Sequence, residues 1–128
     1  SHFLKPDGKF VFAEFHPVVW MFDNDFKEVF YNYFNIEPIV EDESGTYADR
    51  YAEIAVQTIT WNHPISEVLN ALISNGLAIN CFNEFDYSPY NCFNQTEEFD
   101  SEGSGKKYRI KHLENKIPMV YSLSATKK

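Results

Sequence analysis

Two ionisable residues, Glu14 and His16, stand two positions apart at the end of an apolar run. In a β-strand, residues two apart point to the same side, so the carboxylate and the imidazole would face one site together. A histidine whose ordinary pKa lies near neutrality suits the role of a general base. We therefore take Glu14 and His16 as candidate catalytic residues. The alternative interpretation is that His16 only forms a hydrogen bond at the end of its strand.

The element that would position these two residues begins after a turn. Residues 6–8 read Pro-Asp-Gly, which predicts a turn because proline fixes φ and glycine accepts a positive φ. Residues 9–15 are apolar and aromatic with little alternation, as is typical of a strand buried on both faces of a parallel sheet. Ligands of such sheets bind beyond the carboxyl ends of the strands. We therefore expect a central strand that presents Glu14 and His16 to a site.

Residues 62–85 carry the clearest helix signal. Pro64 suits the first helical position, and Gly76 suits the residue that closes a helix. Between them, apolar residues recur at helical spacing: Ile65, Val68, Leu69, Leu72 and Ile73. Residues 77–85 then predict a strand, and residues 117–125 a second one. Residues 51–61 alternate between apolar and polar, which predicts a third, half-buried strand.

The composition limits the classes of partner. The 128 residues are 44% hydrophobic and 17% aromatic, enough for one domain with a core. A formal net charge of −8 disfavours a nucleic acid as partner. No apolar run approaches the length of a membrane span and no signal peptide begins the chain, so we expect a cytoplasmic protein without a membrane partner. Cys81 and Cys92 match no zinc-binding pattern, and we predict no metal site.

Two passages resemble the later part of class I S-adenosylmethionine-dependent methyltransferases. Residues 3–9, Phe-Leu-Lys-Pro-Asp-Gly-Lys, resemble the turn before the fifth strand of that family, with Asp7 where the family usually has glycine. Residues 63–84 resemble the family's last helix and sixth strand: His-Pro-Ile-Ser at the start, Asn-Ala-Leu-Ile in the centre, Gly-Leu at the end, and Glu84 closing the strand. The second passage is the more specific of the two.

The resemblance implies an α/β fold. It would be the C-terminal part of a Rossmann-like methyltransferase sheet, with strands 5, 7 and 6, one main helix and an inserted antiparallel strand region. Residues 1–128 would then form a single partial domain. Its parts would be a turn and central strand (1–17), an insertion or substrate lid (18–61), a helix and strand (62–85), a long loop (86–116), and a closing antiparallel strand with its tail (117–128).

The function implied by the resemblance is that of a C-terminal, substrate-side fragment of a methyltransferase that acts on a small molecule, inactive alone. S-adenosylmethionine would belong to the parent protein. None is expected to bind this chain, because no strand leads into a Gly-x-Gly-x-x-Gly loop followed by a helix. The alternative is a non-catalytic binding or dimerisation domain derived from the same fold. An unrelated hydrolase is a weaker reading, since no Gly-x-Ser-x-Gly motif is present.

Candidate substrate-binding residues come from the resemblance and from side-chain type. His63 matches a family position that often reaches the substrate pocket, with helix capping as the alternative role. Four aromatic residues are suited to line an apolar pocket, although core packing is the alternative for each: Tyr87, Tyr90, Trp20 and Trp61. Without the family's first strands, residues 10–15 would be an exposed apolar edge. We therefore expect a homodimer through this edge or through the aromatic insertion.

Overall fold

The computed structural model describes residues 2–34, 36–45, 51–99 and 105–128. It is mostly β, with 41% strand and 11% helix. The elements in chain order are β1 (Lys9–Phe15), a 3-10 helix (Val19–Met21), β2 (Ile39–Ser44), β3 (Ala55–Thr60), α1 (Ile65–Ser74), β4 (Leu77–Phe85), β5 (Thr96–Phe99), β6 (Lys107–Ile110) and β7 (Val120–Lys127).

The prediction of a Rossmann-like α/β fold is wrong. The described strands form a three-stranded sheet in the order β1-β7-β4 and two separate hairpins, β2-β3 and β5-β6. Every pairing is antiparallel. The apolar run at residues 9–15 misled the prediction, because this strand is not buried on both faces. It alternates, with Phe10 and Phe12 half-buried and Val11 76% exposed.

The three-stranded sheet is built around β7. Tyr121, Leu123 and Ala125 point from this strand to one face and are buried. Leu69 and Leu72 of α1 pack against the same cluster, so the helix covers that face. Both β1 and β4 run antiparallel to β7 and therefore run in the same direction as each other. Their carboxyl ends consequently meet at one edge of the sheet.

The helix predicted from Pro64 to Gly76 is confirmed as α1. Pro64 is its N-cap, in an extended conformation. Gly76 has a φ of +80°, a left-handed conformation that favours glycine after a helix. The strand predicted at residues 77–85 is confirmed as β4, with an irregular register between Ile79 and Cys81. These elements were readable because helical periodicity and caps are local signals.

A second apolar cluster lies at the carboxyl end of β1, around Phe15. Its buried members are Val19, Phe26, Ile110 and Met119, and partly buried side chains pack around them, among them Phe15 and Phe93. This cluster holds the segment 18–34, which forms a 3-10 helix and turns. The cluster therefore ties the connection after β1 to the residues around β6.

Two hairpins replace segments expected to be loops. The acidic stretch at residues 41–45, whose composition is typical of a solvated turn, belongs mostly to β2, which pairs with β3. The expected long loop at 86–116 contains β5 and β6, whose ladder is supported by Lys107 over the ring of Tyr87 at 4.4 Å. Opposite charges and aromatic side chains across the strands favour this pairing. In the sequence, Gly103-Ser104-Gly105 is typical of a flexible linker, and Gly103 and Ser104 lie outside the described residues.

Candidate functional site

The candidate site lies at the edge where β1 and β4 end. Glu14 of β1 and Glu84 of β4 are both register partners of Tyr121 on β7. Residues directly opposite each other in an antiparallel sheet point to the same face. The three side chains therefore form one row across the sheet, with adjacent backbones about 4.8 Å apart.

His16 follows β1 directly and fixes one end of this row. The residue is only 4% exposed, and its main-chain N–H donates to the Met119 carbonyl at 2.9 Å. The N–H of Val18 donates to Nδ1 of the imidazole at 3.2 Å, so in the neutral ring Nδ1 carries no proton. The proton is then on Nε2, which donates to Glu84 Oε1 at 2.9 Å.

Burial keeps the imidazole neutral. It lowers the pKa of His16, and the hydrogen bond to Glu84 and its charge oppose that shift without cancelling it. A second proton on Nδ1 would also face the N–H of Val18. Both ring nitrogens are thus engaged, and His16 has no free lone pair with which to take a proton. Glu84, whose side chain is 52% exposed, is the group of this pair that can act as a base.

Tyr121 occupies the centre of the row. The residue is 3% exposed, and its ring lies 5.8 Å from Phe12, 5.8 Å from Phe82 and 6.0 Å from the imidazole of His16 between centroids. Burial, followed by the charge of Glu14, raises the pKa of its phenol. Tyr33 contributes to the same shift and so lies nearby. The row and its neighbours His16 and Tyr33 therefore combine two carboxylates, an imidazole and two phenols.

The start of α1 is held close to this row by two hydrogen bonds. The N–H of Ile65 donates to the Tyr33 hydroxyl at 3.1 Å. The side-chain amide of Asn62, which is 4% exposed, donates to the Pro17 carbonyl at 3.0 Å. Pro17 directly follows His16, the residue that orients Glu84. The second bond therefore holds the segment before the helix next to His16.

An apolar groove of about 340 Å³ runs between β1 and α1. Two of its lining side chains are polar, His63 and Glu67. The others are apolar: Phe10, Phe12, Val68, Ala71 and Leu72. Nδ1 of His63 lies 3.0 Å from Glu67 Oε2, and both side chains are exposed. The groove shares Phe12 with the surroundings of Tyr121, so groove and row are adjacent.

The structure brings together only part of the predicted site. Glu14 and His16 belong to the row at the sheet edge, and His63 lines the groove. Trp20 packs instead against Phe15 and Phe93, with ring centroids 5.9 and 5.7 Å away, in the second apolar cluster. Tyr87 packs with Phe85 and Phe99 beside the β5-β6 hairpin. Tyr90 and Trp61 are more than half exposed.

Sequence reasoning undervalued two residues of the row. Glu84 closes a predicted strand, but nothing in the sequence joins it to His16, 68 positions earlier. Tyr121 reads as one apolar member of the last strand, because its alternation signals only which face it occupies. Strand pairing makes both residues part of the site, and pairing partners are not encoded locally.

The described residues contain no glycine-rich connection from a strand into a helix. Two strand ends there lead into a helix: β1 into the 3-10 helix through residues 16–18, and β3 into α1 through residues 61–64. Neither connection contains glycine, so neither forms the glycine-rich loop that cradles such a nucleotide cofactor. Among the described residues there is also no group of acidic, histidine or cysteine side chains placed to hold a metal ion.

In comparison with known proteins, no family model matches the chain, and no significant match was found among curated proteins or solved structures. The longest described helix, α1, has 10 residues, and no helix in the described ranges combines the length and apolarity needed to cross a bilayer.

Proposed function

We propose that this chain forms the substrate-side part of a cytoplasmic, S-adenosylmethionine-dependent methyltransferase that acts on a small molecule. The observation that carries the proposal is the contact between His16 and Glu84 at the edge shared by the carboxyl ends of β1 and β4. There, a neutral and buried imidazole fixes a half-exposed carboxylate. A fixed, half-exposed carboxylate is suited to orient a methyl acceptor and to remove its proton.

The two passages that resemble the methyltransferase family converge on this contact. Residues 3–9 form a turn, closed by the hydrogen bond from Gly8 N–H to the Lys5 carbonyl at 2.9 Å, and lead into β1. Residues 63–84 form α1 and β4. The first passage delivers His16 and the second delivers Glu84, although the two are distant in sequence. This convergence supports the proposal, since each passage supplies one half of the same pair.

The chemistry that these residues can supply is limited to the acceptor. Glu84 takes the role of proton acceptor, and His16 is a positioning residue that holds its carboxylate. Glu14 is opposite Tyr121 and adds negative charge beside the acceptor. The sulfonium cofactor would supply the methyl group when bound, and the described residues offer it no cradle. We therefore assign this chain to the acceptor side of the reaction.

The test uses the gene product that contains this chain. S-adenosylmethionine and a small-metabolite extract are supplied, and release of S-adenosylhomocysteine is followed by mass spectrometry with and without the extract. We expect extract-dependent release, reduced about 100-fold by Glu84→Gln, as for loss of a general base. Glu43→Gln, an equal charge change at an exposed position of β2, is expected to leave the rate within about twofold.

Two results would overturn the proposal. The first is the absence of extract-dependent release from the wild-type protein. The second is an equal rate for the wild type and Glu84→Gln, because the carboxylate at the sheet edge would then have no part in the reaction.

The alternative is a non-catalytic binding or dimerisation domain, and one observation favours it. Within the described residues β1 pairs only with β7, so its other edge is open, and Val11 on this edge is 76% exposed. Open, apolar edges invite pairing with another strand. This alternative requires self-association together with no methyl transfer, so the turnover assay separates it from the first proposal.

A further inference from the structure

The geometry points to a small organic ammonium ion as the ligand of the row formed by Glu14, Tyr121 and Glu84. The inference rests on the proposed function and deepens it, since the methyl acceptor would then be an amine. It names a class of substrate that the resemblance to methyltransferases leaves open.

The first argument is the balance of charge in the row. Glu14 and Glu84 lie on either side of Tyr121, so their backbones are about 10 Å apart across the sheet. Glu84 contacts the neutral imidazole of His16, and Glu14 accepts the N–H of Phe15 at 2.8 Å. Within the described ranges, neither carboxylate forms an ion pair with lysine or arginine. Two carboxylates on one face without a protein cation attract a cationic ligand.

The second argument is the hydroxyl of Tyr121, which is independent of the acidic pair. The residue is 97% buried, and its hydroxyl has no hydrogen-bond partner in the part of the chain that the structure describes. No fully enclosed side-chain oxygen or nitrogen there lacks a partner, so this oxygen reaches solvent. The hydroxyl therefore lacks a partner within the described protein residues but is open to one from a ligand. A ligand that donates a hydrogen bond into the row would supply it.

The aromatic surroundings suit the remainder of such a ligand. Phe12 and Phe82 flank the Tyr121 ring on either side, and the imidazole of His16 meets it edge-on. Aromatic faces attract an ammonium group and bury the apolar part of an amine. The groove between β1 and α1 begins at Phe12 and extends this apolar surface.

An anionic ligand is disfavoured although a helix begins nearby. The N–H of Ile65, at the start of α1, already donates to Tyr33. Glu67 stands in the first turn of the helix and adds negative charge there. The chain as a whole carries a formal charge of −8. The partial positive charge at the start of α1 therefore does not offset the negative charge of the two carboxylates in the row.

The test is calorimetric titration of this chain alone with three probes of similar shape: phenethylammonium, 2-phenylethanol and 3-phenylpropanoate. We expect phenethylammonium to bind at least about tenfold more tightly than the alcohol, because charge-assisted hydrogen bonds are lost with the neutral probe. No heat of binding is expected with the anionic probe.

Variants of the row and a control variant complete the test. Glu14→Gln and Glu84→Gln are each expected to weaken phenethylammonium binding about tenfold, and Tyr121→Phe about fivefold. Glu43→Gln removes one charge from exposed β2 and is expected to change the affinity by less than about twofold. Circular dichroism of each variant verifies folding. If Tyr121→Phe fails to fold, the two glutamate variants decide the result.

The inference is overturned if the alcohol binds as tightly as the ammonium ion, or if Glu43→Gln weakens binding as much as Glu84→Gln does. Binding of the probes requires no S-adenosylmethionine, so this experiment is separate from the turnover assay. If turnover depends on Glu84 but the wild-type chain does not prefer the ammonium probe, only the assignment of an amine as the acceptor is refuted. If the wild-type chain prefers the ammonium probe but the gene product shows no turnover, only methyl transfer is refuted.

Discussion

Substitutions at His16 separate the two hydrogen bonds that the buried imidazole makes. The amide oxygen in His16→Asn can still accept the N–H of Val18, but the bond to Glu84 is lost, at a cost of about 1 kcal/mol. The longer side chain in His16→Gln can still reach Glu84 and leaves the N–H of Val18 without an acceptor, at about 2 kcal/mol. His16→Ala loses both bonds and the ring contact with Tyr121, at about 4 kcal/mol.

The assay is urea unfolding followed by tryptophan fluorescence. With a denaturant dependence of about 2 kcal/mol per molar, the three variants should lower the unfolding midpoint by about 0.5, 1 and 2 M, in the order Asn, Gln, Ala. His63→Asn is the matched control, because His63 is exposed and the change should stay within about 0.5 kcal/mol. If His16→Asn proves as damaging as His16→Ala, or His16→Gln proves harmless, the assigned hydrogen bonds are wrong.

The same variants predict how stability depends on pH. Burial lowers the pKa of His16 in the folded chain below its ordinary 6.5, so the unfolded chain takes up this proton first as the pH falls. The stabilisation from a neutral His16 is therefore complete above pH 6.5, declines as the pH falls below it, and levels off below the folded-state pKa. The stability difference between wild type and His16→Asn should shrink from about pH 8 to about pH 5. A difference that grows on acidification would contradict a buried neutral imidazole.

Three further outcomes are expected. Leu123 is 2% exposed and lies beneath α1, so Leu123→Ala should lower the free energy of unfolding in urea by about 3 kcal/mol. Ser122→Ala, on the other face of β7, should lower it by less than about 0.5 kcal/mol. The chain should form a dimer in light scattering through the open edge of β1, and Val11→Lys should shift it to monomer; a monomer at high micromolar concentration would exclude the dimer. Calorimetric titration of this chain with S-adenosylmethionine should give no heat, since the strand-to-helix connections among the described residues lack a glycine-rich loop, and one-to-one binding would refute this.

The sequence was sufficient for elements whose signals are local. Helical spacing between Pro64 and Gly76 defined α1, and the apolar stretch after Gly76 defined β4. The run at residues 9–15 was correctly a strand, but its lack of alternation suggested burial on two faces. An aromatic strand with one covered face gives the same residue pattern when its exposed face is also apolar. The class of fold therefore could not be decided from this run.

The candidate site was only half accessible to sequence reasoning. Glu14 and His16 drew attention by their type and spacing, which suggested His16 as a base. The structure instead engages both nitrogens of His16, one with Val18 and one with Glu84, and leaves the carboxylate as the group able to accept a proton. Hydrogen-bond partners that lie far along the chain decide such roles, and residue type alone does not reveal them.

By itself, the sequence determined which residues are apolar, where the helix begins and ends, and which segments extend into strands, because these follow from spacing and backbone preference between near neighbours. The tertiary structure decided that β7 inserts between β1 and β4. The β1–β7 pairing joins residues more than 100 positions apart. It sets Tyr121 between Glu14 and Glu84 and turns three separate strand positions into one site, since the side chains brought opposite one another depend on register, a property of the folded sheet.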